Sequence, residues 1–124
     1  MTGSAVDVIV VDDDEDFLEL AMRSLKRGGI SARGVKNFAE LDATLAAEPQ
    51  LRLILMDVQM PDLFGDEVAA ILRHERGVTA TIVLYSSLDP EVLDGLAKSA
   101  GVDGWISKTQ GIGHLVDEVK RLLT

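Results

Sequence analysis

The stretch Leu53-Ile54-Leu55-Met56-Asp57-Val58-Gln59-Met60-Pro61 decides the fold. An apolar run of strand length ends in one carboxylate and then breaks at a proline. A short continuous apolar run bounded by turn signals fits a strand buried on both faces. Pro61 cannot continue a central strand, so the chain leaves the sheet near Asp57. That puts Asp57 at the C-terminal mouth of a strand, where open parallel sheets place their ligand sites. A carboxylate at the edge of an apolar core is costly unless cations or donors meet it.

Working outward, similar runs recur on both sides. Val6 to Val11 is a β-branched run ending in Asp12-Asp13-Asp14-Glu15-Asp16, five consecutive acids. Helix one follows, with Phe17, Leu18, Ala21 and Leu25 at helical spacing, and Gly28-Gly29 stops it. Ser31 to Val35 reads as a short second strand. Asn37 with Glu40 three residues on is an N-cap pattern, and helix two carries Phe38, Leu41 and Leu45 on one face. Beyond the central stretch, helix three is expected over about Asp66 to Glu75, and strand four over Thr81 to Tyr85. Asp89-Pro90 marks the start of helix four, which should bury Val92, Leu93, Leu96, Ala97 and Ala100 before Gly101. Gly104 to Lys108 reads as strand five. Leu115, Val116, Val119, Leu122 and Leu123 form the stripe of a last helix. Five strand–helix alternations predict an α/β fold, a parallel sheet with helices on both faces joined by right-handed crossovers.

The 124 residues fit one domain, 1–124, with a real core. No linker or second domain is evident. The 47% hydrophobic and 27% charged composition is globular, and the absence of cysteine excludes disulfides and thiolate metal sites. Net charge of -9 argues against nucleic acid as a direct partner. Met1 to Ala5 lacks a secretory signal pattern, and no apolar run approaches the roughly 20 residues that span a bilayer. A cytoplasmic protein without membrane contact is the expectation.

In a parallel sheet the C-terminal strand ends share one edge. Asp12 and Asp13 follow strand one, Asp57 ends strand three, Ser86 follows strand four and Lys108 follows strand five. If strands one, three and four are neighbours, three carboxylates converge. Like charges about 4 Å apart repel by roughly 4 kcal/mol at an effective dielectric near 20. Such a cluster wants a hard divalent cation, and an all-oxygen set suits Mg²⁺. A carboxylate nucleophile, Mg²⁺, an ammonium and a hydroxyl together suit a phosphoryl group. Plainer roles exist for each residue: Asp12 and Asp13 as helix caps, Asp57 as a turn carboxylate, Lys108 as a solvated lysine. Ser87 competes with Ser86 for the hydroxyl position. Asp14, Glu15 and Asp16 are expected to serve the helix rather than the site. His74 and His114 lack metal-ligand spacing and are expected at the surface; Met56 and Met60 are expected to pack.

Four signatures taken together resemble the receiver domain of two-component response regulators: Val10-Val11-Asp12-Asp13, Leu55 to Pro61 with Gly65, Ser86-Ser87, and Gly104-Trp105-Ile106-Ser107-Lys108. The resemblance covers essentially the whole chain. It implies a flavodoxin-like five-stranded sheet in the order 2-1-3-4-5. It implies that Asp57 accepts a phosphoryl group from a phosphohistidine of a sensor histidine kinase or phosphotransfer protein. Asp13 would bind Mg²⁺ directly, Asp12 through water, and the backbone carbonyl of Gln59 would be a third protein ligand. Lys108 and Ser86 would contact phosphoryl oxygens. Ser86 and Trp105 would form the switch, and the helix four, strand five and helix five face would be the output surface. That face would meet a downstream protein or an effector domain, and a phosphorylation-dependent homodimer is compatible with it. The sequence departs from the family pattern at Thr109, where a proline commonly follows the lysine. Trp105 replaces a smaller aromatic, and Phe64 replaces an acid before the loop glycine. Leu88, two residues after Ser86, is expected to slow water attack weakly. Two other readings are a degenerate receiver acting as a phosphorylation-independent interaction module, and a haloacid-dehalogenase-like phosphatase built on the Asp12-x-Asp14 pair.

Overall fold

A computed structural model of the chain describes residues 6–60 and 64–124. Pro61 lies outside the described residues, as do Met1 to Ala5. The elements alternate without exception: β1 (Val8–Val11), α1 (Glu15–Arg27), β2 (Ala32–Val35), α2 (Phe38–Ala47), β3 (Leu53–Asp57), α3 (Gly65–His74), β4 (Thr81–Ser86), α4 (Pro90–Ala100), β5 (Gly104–Ser107) and α5 (Ile112–Leu123). All strand pairs are parallel, and the sheet order is β2-β1-β3-β4-β5.

Every residue of β1 and β3 is buried, because helices cover both faces of the sheet. Alternate side chains still divide between two cores. Ile9, Val11, Ile54, Met56, Ile82 and Leu84 face Leu41 of α2, Val68 and Leu72 of α3, and Leu93 of α4. Val8, Val10, Leu53, Leu55, Val83 and Tyr85 face Leu18 and Leu25 of α1, and Leu115 and Val119 of α5. Each fully buried leucine contributes about 1.5–3 kcal/mol of transfer free energy. Met56 is buried and Met60 packs against the first core, as expected.

Local chemistry sets the helix starts. Asp14 caps α1, its Oδ1 accepting from the N–H groups of Asp16 at 3.0 Å and Phe17 at 3.2 Å. Asn37 caps α2 through the Glu40 N–H at 2.9 Å, and Glu40 reaches back to the Lys36 N–H at 2.8 Å. Pro90 occupies the first turn of α4, but Asp89 makes no side-chain cap. Gly101, at φ 73°, closes α4 in the left-handed region that favours glycine.

The expected elements are all present, with shifted ends. β1 begins at Val8 rather than Val6, and β2 at Ala32 rather than Ser31, because the Asp7 and Val8 N–H groups both donate to the carbonyl of Ser31 before the ladder starts. β4 extends to Ser86, which pairs with Ser107. Lys108 does not belong to β5; it opens a 3₁₀ turn, Lys108–Gln110. Val92 is exposed rather than buried. The buried stripe of α4 is Leu93, Ala97 and Ala100, spaced four and three apart, and Val92 lies one residue off that line.

Candidate functional site

Register builds the site. Val11 pairs with Met56, and Asp57 pairs with Tyr85, so one step past the ladder puts Asp12 beside Asp57. Oxygens of Asp12, Asp13 and Asp57 lie within 4.8 Å of one another, the one acidic or imidazole cluster of metal-holding size among the described residues. Asp12 and Asp57 are buried, whereas Asp13 is exposed at the rim. Lys108 completes the rim. Its Nζ lies 3.0 Å from Asp12 Oδ2 and 3.4 Å from Asp57 Oδ1. One ammonium facing three carboxylates leaves an excess of negative charge that a hard cation would balance. Donors and charge both fit Mg²⁺.

Asp57 has few compensating donors. Its Oδ1 accepts from the Gln59 N–H at 3.3 Å. Burial raises its carboxyl from 3.8 to about 6; the Lys108 ammonium opposes the rise, and the Asp12 carboxylate adds to it. Asp12 is better held. Its Oδ1 accepts from the Asp14 N–H at 2.9 Å, and its Oδ2 accepts from both Lys108 and the Tyr85 hydroxyl at 3.0 Å. Burial, then the nearby carboxylates, push the Tyr85 hydroxyl well above its usual 10, so it stays a donor.

Ser86 is fully buried, and its Oγ donates to Gln59 Oε1 at 3.1 Å while accepting from the Leu88 N–H at 3.2 Å. Ser87 is exposed. Gly65 is required by close approach: a Cβ there would stand 1.8 Å from the Asp57 carbonyl oxygen. The first turn of α3 thus lies directly against the end of β3, and the Gly65 N–H donates to the Val58 carbonyl at 3.0 Å. Phe64, just before it, is exposed and provides no side-chain cap.

Several expected residues lie apart from the cluster. Trp105 is half-buried and turned to α4, its Nε1 donating to Asp94 Oδ1 at 3.1 Å. Asp94 also pairs with Lys98 at 2.9 Å. Thr109 replaces the common proline with a local bond pattern. Its N–H donates to Ser107 Oγ at 3.3 Å, and the two hydroxyls lie 2.7 Å apart, which fixes the turn after Lys108. Asp14 is occupied in capping α1, so Asp12-x-Asp14 does not act as a pair at the rim. Leu88 packs against the first core. His74 is exposed and His114 half-buried.

Two residues escaped the sequence reading. Tyr85 is the single tyrosine of the chain, fully buried one residue before the end of β4 and directly after the aliphatic Ile82-Val83-Leu84. A buried phenol needs a partner, and that was the available signal. Phe17, read only as part of a helix face, stacks on Tyr85 with ring centroids 5.6 Å apart. The Lys108 ammonium lies 4.5 Å from one ring and 4.7 Å from the other.

Known proteins are similar to this chain in sequence and in fold. A family model described as "response regulator receiver domain" matches residues 8–120. The response regulator protein PilR of Pseudomonas aeruginosa is 32% identical over 117 residues, which are 93% of this chain and 25% of that protein. The nisin biosynthesis regulatory protein NisR of Lactococcus lactis is 27% identical over 115 residues, 91% of this chain and 48% of that protein. The chain thus spans between a quarter and half of these relatives. The chemotaxis protein CheY4 of Vibrio cholerae has the same fold, with a TM-score of 0.83 at 20% identity, covering 96% of this chain and 99% of that one.

Proposed function

Because this chain belongs to the response regulator receiver domain family, we propose that it is a single receiver domain, 1–124, that accepts a phosphoryl group on Asp57. The observation that carries this reading is the convergence of Asp12, Asp13, Asp57 and Lys108 on one rim. The donor would be a phosphohistidine of a sensor kinase or phosphotransfer protein. An Asp57 carboxylate oxygen forms the new P–O bond, the P–N bond breaks, and the imidazole leaves. Lys108 brings its ammonium, and Ser86 its hydroxyl once freed from Gln59, to the oxygens on which charge collects. Asp12, Asp13, Asp57 and the Gln59 backbone carbonyl would hold Mg²⁺, which when bound neutralises charge on the transferred group. Burial of Asp57 limits the water that reaches the resulting acyl phosphate.

The helix α4, strand β5 and helix α5 face would signal to a downstream protein or an attached effector domain, as a monomer or as a phosphorylation-dependent dimer. No enzyme family is indicated; the chemistry is the domain's own phosphorylation and dephosphorylation. No helix among the described residues is long and apolar enough to cross a membrane, and we place the protein in the cytoplasm. The capping role of Asp14 leaves the phosphatase reading without its second carboxylate.

Incubation with acetyl phosphate and Mg²⁺ should add one phosphoryl mass to the wild type and none to Asp57→Asn. Equal labelling of both proteins would refute the assignment. The bond from Trp105 to Asp94 favours a second reading, a receiver whose α4 face responds little. Labelling of Asp57 with unchanged Trp105 fluorescence would select it.

A further inference from the structure

Lys108 pairs with both Asp12 and Asp57, and its ammonium ends a flexible four-carbon stem. Its neighbours restrict that freedom. Phe17 comes from the first turns of α1, and Tyr85 from the end of β4. Their stacked rings present faces to the same ammonium, at 4.5 and 4.7 Å. Aromatic faces attract a cation through the ring quadrupole, more strongly where water is excluded. Tyr85 is fully buried, so its face is such a place.

The hydroxyl of Tyr85 adds a separate contact. It donates to Asp12 Oδ2 at 3.0 Å, with the Val11 carbonyl farther away at 3.3 Å. Together with the Asp14 N–H on Oδ1, it fixes both oxygens of Asp12 independently of the lysine. When Lys108 turns to a phosphoryl group, Tyr85 can still hold Asp12. Partners of this kind orient a ligating group and tune its affinity.

Resting on the receiver reading above, we infer that Tyr85 and Phe17 are positioning residues: the Tyr85 hydroxyl orients Asp12 for the cation, and the paired rings hold the Lys108 ammonium at the mouth where the phosphoryl group arrives. The two tasks separate by variant. Tyr85→Phe removes the hydroxyl and keeps the ring. Phe17→Leu removes one ring and leaves the bonds to Asp12 in place.

Calorimetric titration with Mg²⁺ reads the first task. Phosphorylation by acetyl phosphate at saturating Mg²⁺ reads the second, as acetate leaves and Asp57 gains the P–O bond. Tyr85→Phe should weaken Mg²⁺ binding about tenfold, and at saturating Mg²⁺ its phosphorylation rate should fall less than that of Phe17→Leu. Phe17→Leu should leave Mg²⁺ binding within about twofold and slow phosphorylation on the order of tenfold, with Phe17→Tyr restoring the rate. Thermal melts of all three variants accompany both measurements. Wild-type Mg²⁺ affinity in Tyr85→Phe would overturn the inference. Parallel losses of binding and rate that track melting temperature in both variants would overturn it equally. If the wild type binds Mg²⁺ but takes no phosphoryl group, the receiver reading fails. The Tyr85→Phe titration then still decides whether the hydroxyl orients Asp12.

Discussion

Replacing Asp57 with asparagine should stabilise the metal-free protein. The side chain is 4% exposed and stands beside Asp12, with the Lys108 ammonium at 3.4 Å as its cationic neighbour. Its carboxyl rises from 3.8 to about 6, with burial as the main cause. A rise of that size corresponds to about 3 kcal/mol against the charged form. Water at the open rim, where Asp13 is exposed, reduces this to about 2 kcal/mol. The folded state holds the Asp57 proton more tightly than the unfolded chain does. Stability therefore falls as pH rises from about 4 to 6, and the full cost is present above about 6. Asparagine keeps the shape and carries no charge, and Lys108 retains Asp12 as its partner at 3.0 Å. For a domain of this size, 2 kcal/mol is roughly 8 °C in melting temperature. Thermal melts with a chelator should show that gain near pH 7.5 and little difference near pH 4. Adding Mg²⁺ should narrow the gap by stabilising the wild type. An asparagine variant no more stable than wild type near pH 7.5 would show that the lysine's attraction outweighs the cost of burial, and the electrostatic argument would fail.

Two further outcomes follow from the same geometry. Lys108→Ala removes a positive charge 3.0 Å from Asp12, so Mg²⁺ should bind about threefold tighter or more while phosphorylation by acetyl phosphate is lost; calorimetry and mass spectrometry read the two effects. Gly65→Ala puts a methyl group where the Asp57 carbonyl stands, so α3 must shift, and urea unfolding should show a loss of about 2–3 kcal/mol together with weakened Mg²⁺ binding.

The sequence alone determined the alternation of elements. Leu53 to Asp57 is a strand because a continuous apolar run bounded by breakers is too short for a helix and too apolar for a loop. The caps at Asn37 and Gly101 could be read because capping depends on neighbours within a few residues. The acids and the lysine stood out for the same reason: each interrupts an apolar run at its end. Resemblance to a family, rather than periodicity, supplied the strand order.

Contacts between residues distant in the chain were decided only in three dimensions. Tyr85 and Asp12 are 73 residues apart, and no local pattern announces their bond. The exposure of Val92 depends on which stripe of α4 meets the sheet, which is a choice between adjacent helical rows. Trp105 bonds Asp94 because α4 and β5 pack together, so the indole's direction follows from packing. Short-range propensity fixes where strands and helices form; the register between strands fixes which charges share a low-dielectric rim, and it is there that the charge on Asp57 becomes costly.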